Sequence, residues 1–201
     1  MKLTLGKKAV LLVLLILAID QSVKIYVKTH FALGHSVRIF HWFHILFTEN
    51  NGMAFGMEFG GQTGKLVLSI FRIVAIVGIA FYLAHIIKAK FQSGFVLCIA
   101  LILAGAIGNL IDSAFYGILF NGSEYQVAQL FPQGGGYASF LHGRVVDMLY
   151  FPIIDGHFPS WLPIWGSEQF IFFRPVFNIA DSSITIGVII ILLCQKNFFK
   201  H

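Results

Sequence analysis

Apolar residues gather along this chain in four long stretches, at about 9–29, 64–87, 94–116 and 178–195. A helix needs roughly 20 mostly apolar residues to cross about 30 Å of hydrocarbon. The pattern therefore predicts an all-α integral membrane protein, a single domain over 1–201 with four transmembrane helices. The first stretch also has features of a signal peptide, since Lys2, Lys7 and Lys8 precede the apolar run Ala9 to Ile19. No small-x-small cleavage site follows it. Instead Asp20 and Lys24 arrive at i,i+4 spacing, on one face of a helix that can continue to about Thr29.

The segments between the stretches have a different texture. The N-terminal tail, the link holding Lys88 and Lys90, and the tail holding Lys196 and Lys200 carry basic residues and no acid. The positive-inside bias puts all three on the cytoplasmic side, which an even number of crossings requires. The connections at about 30–63 and 117–177 then face outward. In the first, Ser36–Phe47 alternates and is β-branched, and the turn signal Thr48-Glu-Asn-Asn-Gly-Met follows, which predicts a small outward-facing β-sheet on the membrane surface. The second is an extended extracytoplasmic loop with an aromatic cluster, Trp161, Trp165, Phe170, Phe172 and Phe173, suited to headgroup depth.

Composition sharpens this picture. Of 201 residues, 57% are hydrophobic and 11% charged, against about 25% charged in soluble domains. Disorder, coiled coil and collagen are excluded. The net charge of +5 comes from basic residues beside apolar runs, so membrane lipid, not nucleic acid, is the expected anionic partner. Cys98 and Cys194 lie inside apolar runs without CxxC spacing and read as small hydrophobes.

An ionisable side chain at the bilayer centre costs roughly 2.5–3.5 kcal/mol, so each one in a span needs a partner, a cavity or a task. The inventory is Asp20 and Lys24, Arg72, Asn109 and Asp112, Asn178 and Asp181. Asp20, Lys24, Asp112 and Asp181 should meet near one depth, toward the outer helix ends. Asn109-x-x-Asp112 and Asn178-x-x-Asp181 each put an amide and a carboxylate on one helix face. For Asn109 and Asn178, interhelical hydrogen bonding alone is an open alternative. A further acid, Asp147, follows an extended Val-Val pair. Two carboxylates at one site cannot both ionise, so one holds a proton while the other stays basic. The basic one can take a proton from water attacking a carbonyl that the protonated one polarises, which hydrolyses a peptide without metal or cofactor.

Competing motifs are missing from the sequence: it has no HExxH and no G-x-S-x-G. Gly60-Gly-Gln-Thr-Gly-Lys65 departs from a phosphate loop at both ends and reads as a flexible lead into the second helix. Two non-peptidase alternatives use the same acids. A small transporter or ion-binding helical bundle would place them near the midplane, usually with broken helices in paired halves. A non-catalytic scaffold would have no use for Asp147 outside the spans.

Five motifs then occur in order: Asp20-Gln-Ser-Val-Lys24, Asn51-Gly-Met-Ala-Phe55, Ala104-Gly-Ala-Ile-Gly-Asn-Leu-Ile-Asp112, Val145-Val-Asp147 and Phe177-Asn-Ile-Ala-Asp181. In these the chain resembles bacterial lipoprotein signal peptidase, the signal peptidase II family. The resemblance implies an aspartic endopeptidase of the cytoplasmic membrane that cleaves diacylglyceryl-modified prolipoproteins before the lipidated cysteine. It implies that Asp147 and Asp181 are the catalytic pair, and that Asp20, Lys24, Asn51, Gly52, Gly108, Asn109, Asp112 and Asn178 support the site or contact substrate. Cyclic depsipeptides such as globomycin are the implied inhibitors, no cofactor or metal is implied, and a monomer is expected. Two departures stand out: where the family's third motif usually begins Gly-Gly and ends Asp-Arg, this chain has Ala104-Gly105 and Asp112-Ser113. Asp112 then needs a cation from elsewhere, for which Arg144 and Arg174 are the candidates. The stretch from Gly117 to Arg144 is also long for the family, and Gly134-Gly-Gly136 could hinge a lid.

Overall fold

The computed structural model describes residues 3–51, 61–152, 154–157, 159–161, 163, 168–172 and 175–199. Lys2, Gly52 with the rest of its motif to Phe55, Trp165, Phe173, Arg174 and Lys200 lie outside the described residues.

Four helices long and apolar enough to cross a membrane run over Leu5–His30 (α1), Gly61–Lys88 (α2), Ser93–Leu119 (α3) and Ile179–Phe198 (α4). Each matches a predicted stretch and exceeds it at both ends or at its C-terminal end, because polar groups cap and extend the turns. Thr4 caps α1 by accepting from the Lys7 N–H at 3.4 Å, and Asn178 caps α4. The Gly61–Lys65 stretch is helical, the first turn of α2 and not a loose lead. Along α2 large apolar side chains such as Phe71, Val74 and Phe81 stand exposed, as a lipid-facing surface requires.

The α3–α4 contact is built on small residues, the usual way for helices to approach where lipid offers no hydrophobic drive. A Cβ on Gly105 would stand 2.2 Å from the Ala180 carbonyl oxygen, and one on Gly187 would stand 2.8 Å from the Cys98 carbonyl oxygen. The outer turns of α3 are irregular. Asp112–Tyr116 is a π-helical turn before the last α-turn at Gly117–Leu119, and such turns re-aim side chains at functional sites.

The expected sheet forms beside this end of the helices. Ser36–Phe40 (β1) and Phe43–Asn50 (β2) make a hairpin, and Val145–Tyr150 (β3) and Val176–Phe177 (β6) complete the order β1-β2-β3-β6. Ile154–His157 (β4) and Gln169–Phe172 (β5) pair separately. A one-residue irregularity between Ile45 and Thr48 sets Thr48 opposite Asp147 and Glu49 opposite Val146. Phe47, Val146 and Met148 are buried with Val27, Tyr116, Phe120 and Ala128 in one apolar cluster. Trp42, Phe43, Phe151 and Phe177 stack at the sheet's end.

The long segment after Gly117 folds back on the end of α3. Its N–H groups at Phe131, Tyr137 and Ala138 bond the carbonyls of Leu119, Phe120 and Gly117 at 2.8–2.9 Å. Gly136 is there for close packing, since a Cβ would stand 2.1 Å from the Gly117 carbonyl oxygen.

Candidate active site

The spacing of polar residues on α1 determines the first layer. Asp20 and Lys24 share a face, and both are fully buried. Lys24 Nζ has three protons and three acceptors: Asp20 Oδ2 at 3.0 Å, Asp112 Oδ2 at 2.9 Å and Asn109 Oδ1 at 3.1 Å. Gln21 donates to Asp20 Oδ2 and to Asp112 Oδ1 at 3.1 and 3.0 Å, and its own oxygen accepts from the Tyr116 hydroxyl. The two acids spend their remaining lone pairs on backbone. Asp20 Oδ1 accepts from the Ala180 N–H at 2.9 Å, one of the unpaired donors in the first turn of α4, and Asp112 Oδ2 accepts from the Val146 N–H at 3.1 Å. One buried cluster thus ties α1, α3, α4 and β3 together.

This corrects the expectation about Asp112. Arg144 does not pair with it; its guanidinium lies on Glu49 at 3.2 Å and on Glu124. The sequence makes Arg144 a candidate because it stands three residues before Asp147, but residues three apart in an extended segment point to opposite faces. Arg144 shares its face with Val146 and with Glu49, the partner of Val146 across the ladder, while Asp147 points the other way. Arg174 lies outside the described residues, and Lys24 with Gln21 already saturates Asp112.

The second layer consists of amides. Asn109 Oδ1 accepts from Lys24 and from Asn178 Nδ2, which turns its own Nδ2 toward Asp181 Oδ1 at 2.7 Å. Asn178 caps α4 through its Oδ1, which accepts from the Asp181 N–H at 2.8 Å, and its Nδ2 donates to Asp147 Oδ1 at 2.7 Å. The backbone N–H of Asn178 reaches Asp181 Oδ2 at 3.4 Å, closing a capping box.

Asp147 and Asp181 are therefore two carboxylates held by one pair of asparagines. Asp147 also accepts from Asn50 Nδ2 at 3.3 Å. Burial, with the nearby Asp181 charge adding to it, pushes the Asp147 carboxyl up to about 7. Asp181 is only half-buried, the more accessible of the two. A buried acid that keeps its proton to neutral pH, facing a second acid within electrostatic reach, is the arrangement that metal-free peptide hydrolysis needs.

A family model described as signal peptidase (SPase) II matches residues 12–196. The chain belongs to the signal peptidase II family. Proteins named lipoprotein signal peptidase resemble it: that of Porphyromonas gingivalis strain ATCC 33277 is 55% identical over 190 residues, covering 94% of this chain and 83% of the relative. That of Amoebophilus asiaticus strain 5a2 is 38% identical over 187 residues, covering 91% and 75%. A solved bacterial membrane enzyme, determined by the in meso method at 2.3 Å resolution, superposes with a TM-score of 0.57 at 26% identity, covering 97% of this chain and 92% of that one. This signal peptidase is thus a multi-pass membrane protein and a protease. The transporter and scaffold alternatives are not favoured.

Of the residues singled out in the sequence, the fold brings Asp20, Lys24, Asn109, Asp112, Asn178, Asp147 and Asp181 into one hydrogen-bonded group, with Gly108 at its edge: a Cβ there would meet Asp20 Oδ2 at 2.9 Å. Asn51 accepts from Lys65 Nζ at 2.9 Å. Gly52 lies outside the described residues, and Arg144 belongs to a separate cluster. Sequence reasoning missed Gln21 and Asn50, each the neighbour of a residue it named. It also missed the buried pair Lys28–Glu49, although Lys28 follows Lys24 by one helical turn.

Proposed function

We propose that this signal peptidase is an aspartic endopeptidase that removes signal peptides from diacylglyceryl-modified prolipoproteins, cleaving before the lipidated cysteine, with Asp147 and Asp181 as its catalytic pair. The observation that supports the assignment is Asn178, whose side chain donates to the Asp147 carboxylate and caps the Asp181 N–H while its backbone N–H reaches the Asp181 carboxylate, with the Asp147 carboxyl pushed up to about 7. Asp181, ionised, takes a proton from the attacking water. Asp147, protonated, hydrogen-bonds the scissile carbonyl oxygen and stabilises the charge that develops there. When the tetrahedral intermediate collapses, the proton on Asp181 passes to the leaving nitrogen. Asp20, Lys24, Asp112, Asn109 and Asn178 act by fixing where the two acids stand, and Asn51, which follows the end of β2, contacts substrate together with Gly52.

The charge bias of the flanks supports a single peptidase domain in the bacterial inner membrane with both termini cytoplasmic and the acids near the outer face. Cyclic depsipeptides such as globomycin would compete with substrate there, in a monomer surrounded by lipid. The deciding experiment uses purified full-length chain in detergent with a lipidated prolipoprotein peptide. Asp147→Asn or Asp181→Asn should each lose on the order of 10³-fold or more in turnover, and the double change should cost little beyond either. Near-normal cleavage by either variant overturns the pair, and inhibition of the parent by a chelator assigns the chemistry to a metal.

A further inference from the structure

Beyond its first turn, α2 is apolar as far as Ala84 except at Ser69 and Arg72. Lys65, Ser69 and Arg72 stand at i, i+4 and i+7, which is one face of a helix. All three reach into the region of the site. Lys65 Nζ donates to Asn51 Oδ1 at 2.9 Å, Ser69 Oγ bonds the Leu141 carbonyl at 2.9 Å, and Arg72 Nη1 donates to Ser113 Oγ at 2.8 Å. Ser113 in turn donates to the Asn109 carbonyl at 3.0 Å, and Asn109 holds Asp181. Ser113 is buried and sits in the π-helical turn of α3, the position next to Asp112 at which a cation is missing from this chain.

We propose that Arg72 is a positioning residue of the peptidase: anchored on Ser113, it delivers from α2 the positive charge that α3 lacks, and holds it beside the carboxylate pair. This rests on the assignment of Asp147 and Asp181 as that pair. Asp181, Asp112 and Asp147 are the acids whose charge reaches the guanidinium, Asp181 foremost. Among the described residues, the other cations near the site are engaged elsewhere. Lys24 on α1 is saturated by Asp20, Asp112 and Asn109. Lys28 and Arg144 are engaged with Glu49 of β2, on the face of the sheet opposite Asp147. Lys65 is directed to Asn51.

The expected effect follows from Coulomb's law. A cation within electrostatic reach of a carboxylate pair favours the state with a single proton over the state with two. Removing it makes the pair keep its second proton to higher pH, so the acid limb of the cleavage profile should move up by about one pH unit or more. A merely structural loss would lower the rate at every pH and leave the limb in place.

The pH profile of kcat/KM for the lipidated peptide therefore decides it, read for Arg72→Gln, Arg72→Lys, Ser113→Ala and the pair Arg72→Gln with Ser113→Arg. Arg72→Gln should shift the acid limb upward and lose roughly tenfold or more at mildly acid pH. Arg72→Lys should keep most of the parent profile, Ser113→Ala should shift in the same direction by less, and the charge-relocating pair should move the limb back. An unmoved limb in Arg72→Gln, or a double variant that behaves like Arg72→Gln, overturns the proposal. If Arg72→Gln does not fold, Ser113→Ala carries the test: an unmoved limb there overturns it equally. Asp181→Asn in the same assay separates the two levels, because a variant that still cleaves removes the carboxylate pair itself, whereas an inactive one with an unshifted Arg72→Gln removes only the role of Arg72.

Discussion

Asn178 donates to the Asp147 carboxylate at 2.7 Å with the same side chain that caps α4 by accepting from the Asp181 N–H at 2.8 Å. Capping and positioning are separable chemically. Serine is as good a cap as asparagine but has no second donor to reach Asp147, and alanine has neither. Both variants lose the buried amide's bonds to Asn109, Val146 and Asp147, but Asn178→Ser should keep the cap, and Asn178→Ala should be about 1 kcal/mol less stable than Asn178→Ser. Both should lose cleavage by a similar factor, on the order of tenfold or more, because both lose the Asp147 contact. Cleavage that tracks stability across the two variants would reduce Asn178 to a cap.

The raised Asp147 carboxyl makes stability and activity depend on pH in a stated direction. Its folded value of about 7 stands above the ordinary 3.8 through burial first and the Asp181 charge second. The folded state therefore binds this proton more tightly than the unfolded state between about pH 4 and 7, and stability falls as pH rises through that window. Asp147→Asn removes the ionisation. The variant should unfold at a higher temperature than the parent at pH 8 and show a smaller difference at pH 4. In the parent, the proposed role of Asp147 makes cleavage decline above about pH 7 as its carboxyl loses its proton. Stability that rises from pH 4 to 8 in the parent but not in the variant would reverse the sign and contradict the buried, protonated acid.

The helices were legible because crossing hydrocarbon demands length and apolarity, and no competing structure satisfies both. The meeting of Asp20, Lys24, Asp112 and Asp181 was legible for the same reason, since each isolated charge is costly and partners had to exist. What escaped was bookkeeping of direction and number. Arg144 looked close to Asp147 by sequence, but an odd separation along an extended chain puts it on the other face, with Glu49. Lys24 is a single charge in the sequence, yet its three protons satisfy two carboxylates and an amide. Arg72 and Ser113 lie 41 residues apart and meet through the packing of α2 against the π-turn, which no local pattern announces.

Lys24 is the residue whose loss should be felt most in folding. It is fully buried, and without it Asp20 and Asp112 would face each other with no cation between them. Breaking a buried ion cluster from one side costs about 3–5 kcal/mol, while replacing all its charges by neutral groups of similar shape is often far cheaper. Lys24→Met should therefore fold poorly, and Lys24→Met with Asp20→Asn and Asp112→Asn should recover a substantial part of the thermal stability. The triple variant should still cleave weakly at best, since Asn109 loses the Lys24 contact that orients it toward Asp181. A triple variant no more stable than Lys24→Met would mean that the charges themselves, not their imbalance, hold the helices together.

Gly105 tests how tightly the acids depend on the approach of α3 to α4. A Cβ there would stand 2.2 Å from the Ala180 carbonyl oxygen and 2.6 Å from an Ile184 side-chain carbon, and the closer obstacle is backbone, so the helices must separate. Overpacking of this kind costs about 1–3 kcal/mol. Ala180 precedes Asp181, and its own N–H is held by Asp20, so a displaced α4 also moves the Asp181 carboxylate against Asn109. Gly105→Ala should lower the unfolding temperature and reduce cleavage more than that instability alone explains. Gly134→Ala is the matched control, since nothing lies within 4 Å of its Cβ position, and it should change neither quantity. Thermal unfolding in detergent and peptide cleavage on the two variants give the comparison: if Gly105→Ala behaves like Gly134→Ala, the close α3–α4 approach at Ala180 does not set the position of Asp181.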